Sequence, residues 1–147
     1  FFMTVYTMPR QHKFEEIQVG DSGQVTKTVT ETDVILYAGI TGDNNPVHIN
    51  DIEAKASRFG QRLVHGMLTA GFISAVLGTC LPGRGAIYMG QTLKFLRPVH
   101  IGDTVTAIGE VIAKNEEKRQ ITMRTTVVNQ DGKMVIDGEA LAFLPAE

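Results

Sequence analysis

The chain has 147 residues, 43% of them hydrophobic and 20% charged, with a formal net charge of −2. That length and apolar content suit one folded domain with a buried core and exclude a disordered chain. The charges are scattered, which excludes a basic field for nucleic acid or an anionic membrane, and no apolar stretch is long enough to span a bilayer.

The chain begins with Phe1, and Met3 or Met8 reads as the natural start. Residues 1–13 are expected to be extended or left over from cloning, and they lack the basic start and apolar run of a signal peptide. The single cysteine, Cys80, rules out an intrachain disulfide and fits a reducing cytoplasm. It lies in an apolar segment and reads as a small buried hydrophobe rather than a catalytic thiol.

Gly20-Asp21-Ser22-Gly23 is a turn, and Gln24 to Val29 alternates as a strand does. Thr30 and Asp33 form a capping box for a helix through Ala38, which Gly39 and Gly42 weaken and end. Asn50 caps a second short helix that carries Ala54, Ala56 and Phe59 and stops near Gly60. Met67 to Leu81 is apolar nearly all the way round, as in a helix buried inside its own protein. Its small residues (Ala70, Gly71, Ser74, Ala75, Gly78) allow close packing. The last third reads as four strands in a meander, about 86–98, 104–114, 119–129 and 133–144. Gln130-Asp131-Gly132 is the last hairpin turn, and Ile121, Met123, Thr125 and Val127 share one face. The fold class is α+β: a curved antiparallel sheet wrapped round one apolar helix, the hot-dog arrangement. An edge strand in such a sheet often pairs with a second copy.

Asp43 and His48 lie five positions apart in TGDNNPVHIN, with Pro46 restricting the backbone between them. Taken alone, Asp43, Asn44 and Asn45 are ordinary turn formers. The wider segment YAGITGDNNPVHINDIEA resembles the signature of the MaoC-like (R)-specific enoyl-CoA hydratases. That pattern is an aromatic, a spacer, an aliphatic, a small residue, Gly-Asp-x-Asn-Pro-aliphatic-His, then five residues and a small one. Tyr37, Ile40, Thr41, Gly42, Asp43, Asn45, Pro46, Val47, His48 and Ala54 fill every place. The similarity extends through LVHGM (Leu63–Met67) and GAIYMGQTLKFLRPVHIGD (Gly85–Asp103), and so over nearly the whole chain after about residue 14.

The resemblance implies a single hot-dog domain, a homodimer or larger assembly, and a trans-2-enoyl-CoA substrate hydrated to an (R)-3-hydroxyacyl-CoA by syn addition. It assigns Asp43 and His48 to catalysis. The chemistry needs a base for water, an acid for Cα and donors for the enolate-like oxygen. Asp43 is expected as the base, with His48 orienting the water and sharing the proton transfers. The backbone N–H of Gly66, at the start of the apolar helix, is expected to stabilise the oxygen. Asn45 is expected to orient the loop, and Ser74 to support it. No metal or cofactor is expected, since the histidines show no zinc spacing with a cysteine pair.

His65 reads as a helix cap or site wall, and His12 and His100 as surface positions. Arg58, Arg62, Lys94 and Arg97 are candidates for coenzyme A phosphates, each set against a solvated basic residue. Met67, Met89 and Phe95 read as tunnel lining or core. Three rivals share the fold: a dehydratase acting on acyl carrier protein, a hot-dog acyl-CoA thioesterase and a non-catalytic thioester-binding module.

Overall fold

The computed structural model describes residues 11–146, so the candidate starts Met3 and Met8 and most of the expected extended N-terminus lie outside the described residues. Strand β1 (Ser22–Thr28) is followed by α1 (Glu31–Thr41), α2 (Pro46–Ile49), α3 (Asp51–Ala56) and the long α4 (Gly66–Thr79). Then come β2 (Ile87–Gln91), β3 (Lys94–Phe95), β4 (Thr104–Asn115), β5 (Gln120–Val128) and β6 (Met134–Phe143). One antiparallel sheet runs in the order β1-β4-β5-β6-β2, with β3 also on β6. α4 packs across β1, β4 and β5, which gives the hot-dog arrangement. No helix among the described residues is long and apolar enough to cross a membrane.

The strands form as their alternation requires. In β5, Ile121, Met123, Thr125 and Val127 are buried and face the helix. Val105, Ala107, Gly109 and Val111 do the same in β4. Gly109 lets Val76 of α4 and Met123 of β5 pack over the strand. A Cβ there would meet the Met123 methyl at 2.9 Å and Val76 of α4 at 3.2 Å. On the outer face, Thr26 pairs with Thr106 and Thr28 with Thr104 through hydroxyl hydrogen bonds of 2.9 and 2.8 Å.

Three expectations need correction. The run 86–98 is not the first strand of a meander. It breaks into β2 and β3, and both pair with the last strand, β6. The break falls where Thr92 crosses Gly138, whose missing Cβ would lie 1.9 Å from the Thr92 carbonyl oxygen. Beyond Pro98 the chain leaves the sheet: Val64 N–H donates to Val99 O at 2.8 Å, and Leu63 bridges His100. The second short helix ends at Ala56, before Phe59, because Ser57 turns its hydroxyl back onto Ala54 O at 2.6 Å. Lastly, α4 is buried on one side only. Thr69, Ala70, Ile73, Val76 and Leu77 face the sheet, whereas Met67, Gly71, Ser74 and Gly78 are exposed. The sheet covers one face of a helix, so apolar residues all round it leave an uncovered side within one chain.

The α1 capping box is present. Asp33 N–H donates to Thr30 Oγ1 at 3.2 Å, and Thr30 N–H to the Asp33 carboxylate at 2.9 Å. Gly39 sits inside the helix, and Gly42 ends it in the left-handed conformation at φ 82°. The Thr30 N–H and the Lys27 ammonium hold the Asp33 carboxyl below the usual carboxylate range. Its contribution to stability is therefore full at neutral pH and is lost as pH falls through that depressed value. Replacing the cap, Thr30→Ala, is expected to lower stability by about 0.5–2 kcal/mol in urea unfolding at pH 7.

Candidate active site

The site is built on the corner between α1 and α2. Once Gly42 has ended α1, Asp43 Oδ1 accepts from Asn45 N–H at 3.3 Å, and Asn45 Oδ1 accepts from Val47 N–H at 3.2 Å. Asn45 is thus the cap of α2, with Pro46 in its first turn. This tight pair of side-chain turns brings His48 round to the side of the loop that carries Asp43. Leu63 N–H donates to Val47 O at 3.0 Å, and His48 Nδ1 donates to Leu63 O at 2.8 Å. A carbonyl can only accept, so His48 Nδ1 donates, and in the neutral ring Nε2 is the acceptor.

His65 lies beneath them, only 1% exposed. Its ring stacks on His48 with centroids 3.8 Å apart and planes at 29°, and the Tyr37 ring packs against it, tilted, at 4.6 Å. Its Nε2 lies 3.1 Å from the backbone oxygen of Asp43. Burial pushes its pKa down, so the ring is neutral at physiological pH. Atoms of Asp43, His48 and His65 that could ligate a metal lie within 4.8 Å of one another. Two of the ring nitrogens, however, already serve carbonyls, His48 Nδ1 on Leu63 O and His65 Nε2 on Asp43 O. The arrangement suits holding water and protons better than a metal.

A cavity of about 560 Å³ opens above this cluster. Tyr37, Asp43, His48, His65 and Gly66 line one part, and Met67, Thr69, Phe95, Val99 and Ile136 give it an apolar wall. Gly66 is the first residue of α4, so its N–H belongs to the unpaired first turn, where the helix dipole favours negative charge. The Phe95 ring covers its Cα so closely that a Cβ would lie 2.8 Å from it.

Comparison with known proteins places this geometry. Residues 15–133 match the family model described as the MaoC like domain. The chain belongs to the MaoC-like (R)-specific enoyl-CoA hydratase family. It is 53% identical over 135 residues to the (R)-specific enoyl-CoA hydratase of Rhodospirillum rubrum, covering 92% of this chain and 93% of that one. Among solved structures it resembles the unliganded R-hydratase PhaJ1 of Pseudomonas aeruginosa. There the TM-score is 0.87 and the identity 43%, over 95% of this chain and 87% of that one. The (R)-hydratase of Aeromonas caviae involved in PHA biosynthesis also gives a TM-score of 0.87. Its identity is 39%, over 89% of this chain and 99% of that one.

Of the residues singled out in the MaoC-like signature, Asp43, His48 and Gly66 meet at the one cavity, with Asn45 capping the helix that carries His48. Ser74 does not join them. It is exposed on the open face of α4 and lines a separate cavity of about 200 Å³ with Leu77, Gly78, Ala86, Tyr88 and Ala142. Helical periodicity carries it away from the end of α4 that reaches the loop. Arg58 and Arg97 line the main cavity, and Lys94 does not. Arg62 is neither solvated nor a phosphate ligand: it is buried, tying Glu31 of α1 at 2.8 Å to Asp51 of α3 at 3.6 Å. Met67 and Phe95 line the cavity, whereas Met89 lies on β2 beside Gln120.

The other histidines also differ from expectation. His65 occupies the cap position of α4, but its side chain makes no cap bond and turns to Asp43 instead. His12 and His100 are more than surface positions, since His12 Nε2 sits on Cys80 O at 3.1 Å and His100 is half-buried. The tripeptide Val64-His65-Gly66 is the signal that leads to His65, because it joins the α4 start to the loop. Asn45→Ala is expected to cost about 0.5–2 kcal/mol of stability, the usual loss for a helix cap. It should also lower turnover, read by thermal melts and initial rates on the same samples.

Proposed function

We propose that this site adds water reversibly and (R)-specifically to trans-2-enoyl-CoA, giving (R)-3-hydroxyacyl-CoA, with Asp43 and His48 activating the water. The protein is a hydro-lyase. One observation carries the reading: a carboxylate, an imidazole whose neutral form accepts at Nε2 and a helix N-terminus face one cavity.

Asp43 and His48 are close enough for one water to accept both as partners, with hydrogen bonds of ordinary length. Asp43 takes a proton as the water oxygen attacks Cβ. His48 Nε2 accepts a hydrogen bond from the O–H that the water keeps and fixes the direction of attack. The proton held within the pair then passes to Cα from the same side, so addition is syn. The two groups act as a unit, and the proton belongs to the pair during transfer. The Gly66 N–H stabilises the enolate-like thioester oxygen. Arg58 and Arg97 offer guanidinium charge to coenzyme A phosphates, which favours that carrier over acyl carrier protein. The chemistry calls for no metal or redox cofactor.

The protein works as a homodimer or larger assembly. β2 is an edge strand with Ile87, Tyr88 and Met89 exposed, and the outer side of α4 is uncovered. A second copy on that edge would extend the sheet and cover the helix. The single cysteine suits the reducing cytoplasm in which we place it. Supply of polyester precursors is the role we assign, by analogy with the Aeromonas caviae relative.

Purified protein with crotonyl-CoA is expected to lose the conjugated enoyl absorbance without releasing thiol, and to form the (R) product. Thiol release would instead mark a thioesterase, and turnover only with crotonyl-acyl carrier protein would change the carrier. Asp43→Asn and His48→Gln are each expected to lower kcat by about 100-fold or more with the fold intact. Light scattering should give at least twice the mass of one chain, and an active monomer would contradict the assembly.

A further inference from the structure

We propose that His65 is a positioning residue, a neutral imidazole that locks Asp43 through its backbone carbonyl and His48 through its ring face. This rests on the reading of Asp43 and His48 as the catalytic pair.

The two contacts differ in kind. The Asp43 oxygen at 3.1 Å can only accept, so His65 carries its proton on Nε2. That bond fixes the peptide from which the Asp43 carboxylate projects. The stack at 3.8 Å holds the His48 ring on the face opposite its freedom to rotate, while Leu63 O holds its edge. Asp43 is exposed and His48 only half-buried, so neither is held by general packing. His65, by contrast, is almost wholly buried and packs against both Tyr37 and His48.

Its remaining nitrogen explains why the ring stays neutral. Nδ1 is buried and has no hydrogen-bond partner among the described residues. Protonating it would bury an N–H without an acceptor and place a cation against His48. His48 must share a proton during turnover, and a charged neighbour at stacking distance would oppose that. A neutral, flat ring supports it without competing for the proton. The side chain leaves the cap position of α4 unused, so its orientation serves the loop rather than the helix.

Two variants separate the contacts. His65→Phe keeps a ring against His48 and removes the donor to Asp43. His65→Gln keeps a donor near the Nε2 position and removes the ring. For His65→Phe, kcat is expected to fall by about 10- to 100-fold, the scale of a misplaced catalytic group, with KM little changed. His65→Gln should recover part of that loss. Rates are taken per folded molecule from circular dichroism and thermal melts. Wild-type kcat in both variants, with only the melting temperature lowered, would overturn the proposal.

Asp43→Asn and His48→Gln run beside them. If those two stay fully active, the catalytic pair itself is wrong, and that failure is distinct from one confined to His65. A second measurement needs no variant: nitrogen-15 NMR of the imidazoles in the wild-type protein at pH 7. A neutral His65 with its proton on Nε2 is expected. An imidazolium, or the Nδ1–H form, would overturn the proposal even if no His65 variant folds.

Discussion

The closeness of α4 to its sheet is the constraint on which the site depends. At Gly109 the strand has no side chain, and Val76 and Met123 close over the space a Cβ would take. A side chain there would displace the end of the flexible Met123 chain and push Val76 of α4 back by a few tenths of an ångström. The first turn of α4 lies against Phe95, and Gly66 and His65 line the same cavity as Asp43 and His48.

From that anchor, short polar contacts build the rest. The segment before α4 is held on one side by Val99 and on the other by Val47 and His48. One stretch of backbone therefore links the sheet's crossover, the helix start and the Asp43–His48 loop. The loop is otherwise self-supporting, with Asp43, Asn45 and Asn50 each bonding a backbone N–H two or three residues on. Local turns give direction, and the long-range bond from His48 Nδ1 to Leu63 O sets which ring nitrogen donates. That contact converts a turn into a site able to accept a proton.

The loop was legible in the sequence because its rules act within a few residues. Glycine ended α1 and asparagine capped α3 without reference to distant parts, whereas the four-residue α2 capped by Asn45 was read only as loop. The alternation of β4 and β5 was legible for the same reason. What failed was non-local. Nothing near residues 86–98 reveals that they pair with β6 rather than β4. Nor does anything beside Arg62 announce Glu31, 31 residues earlier, as its buried partner. Ser74 was assigned through the family likeness, yet its place along α4 carries it away from the loop within this chain. His65 was visible only as a histidine before a helix. Its role depends on a partner 17 residues away and a carbonyl 22 away, which only the fold brings together.

The central claim is that one water, held between Asp43 and His48, supplies both the hydroxyl and the proton to the same face of the double bond. The most direct measurement is hydration of crotonyl-CoA in deuterated water, followed by proton NMR of the product to read the relative configuration at the two carbons. The account predicts a single diastereomer, with deuterium and hydroxyl added syn and the new alcohol centre (R). An anti product, or a mixture of configurations at Cα formed during the addition itself, would contradict it.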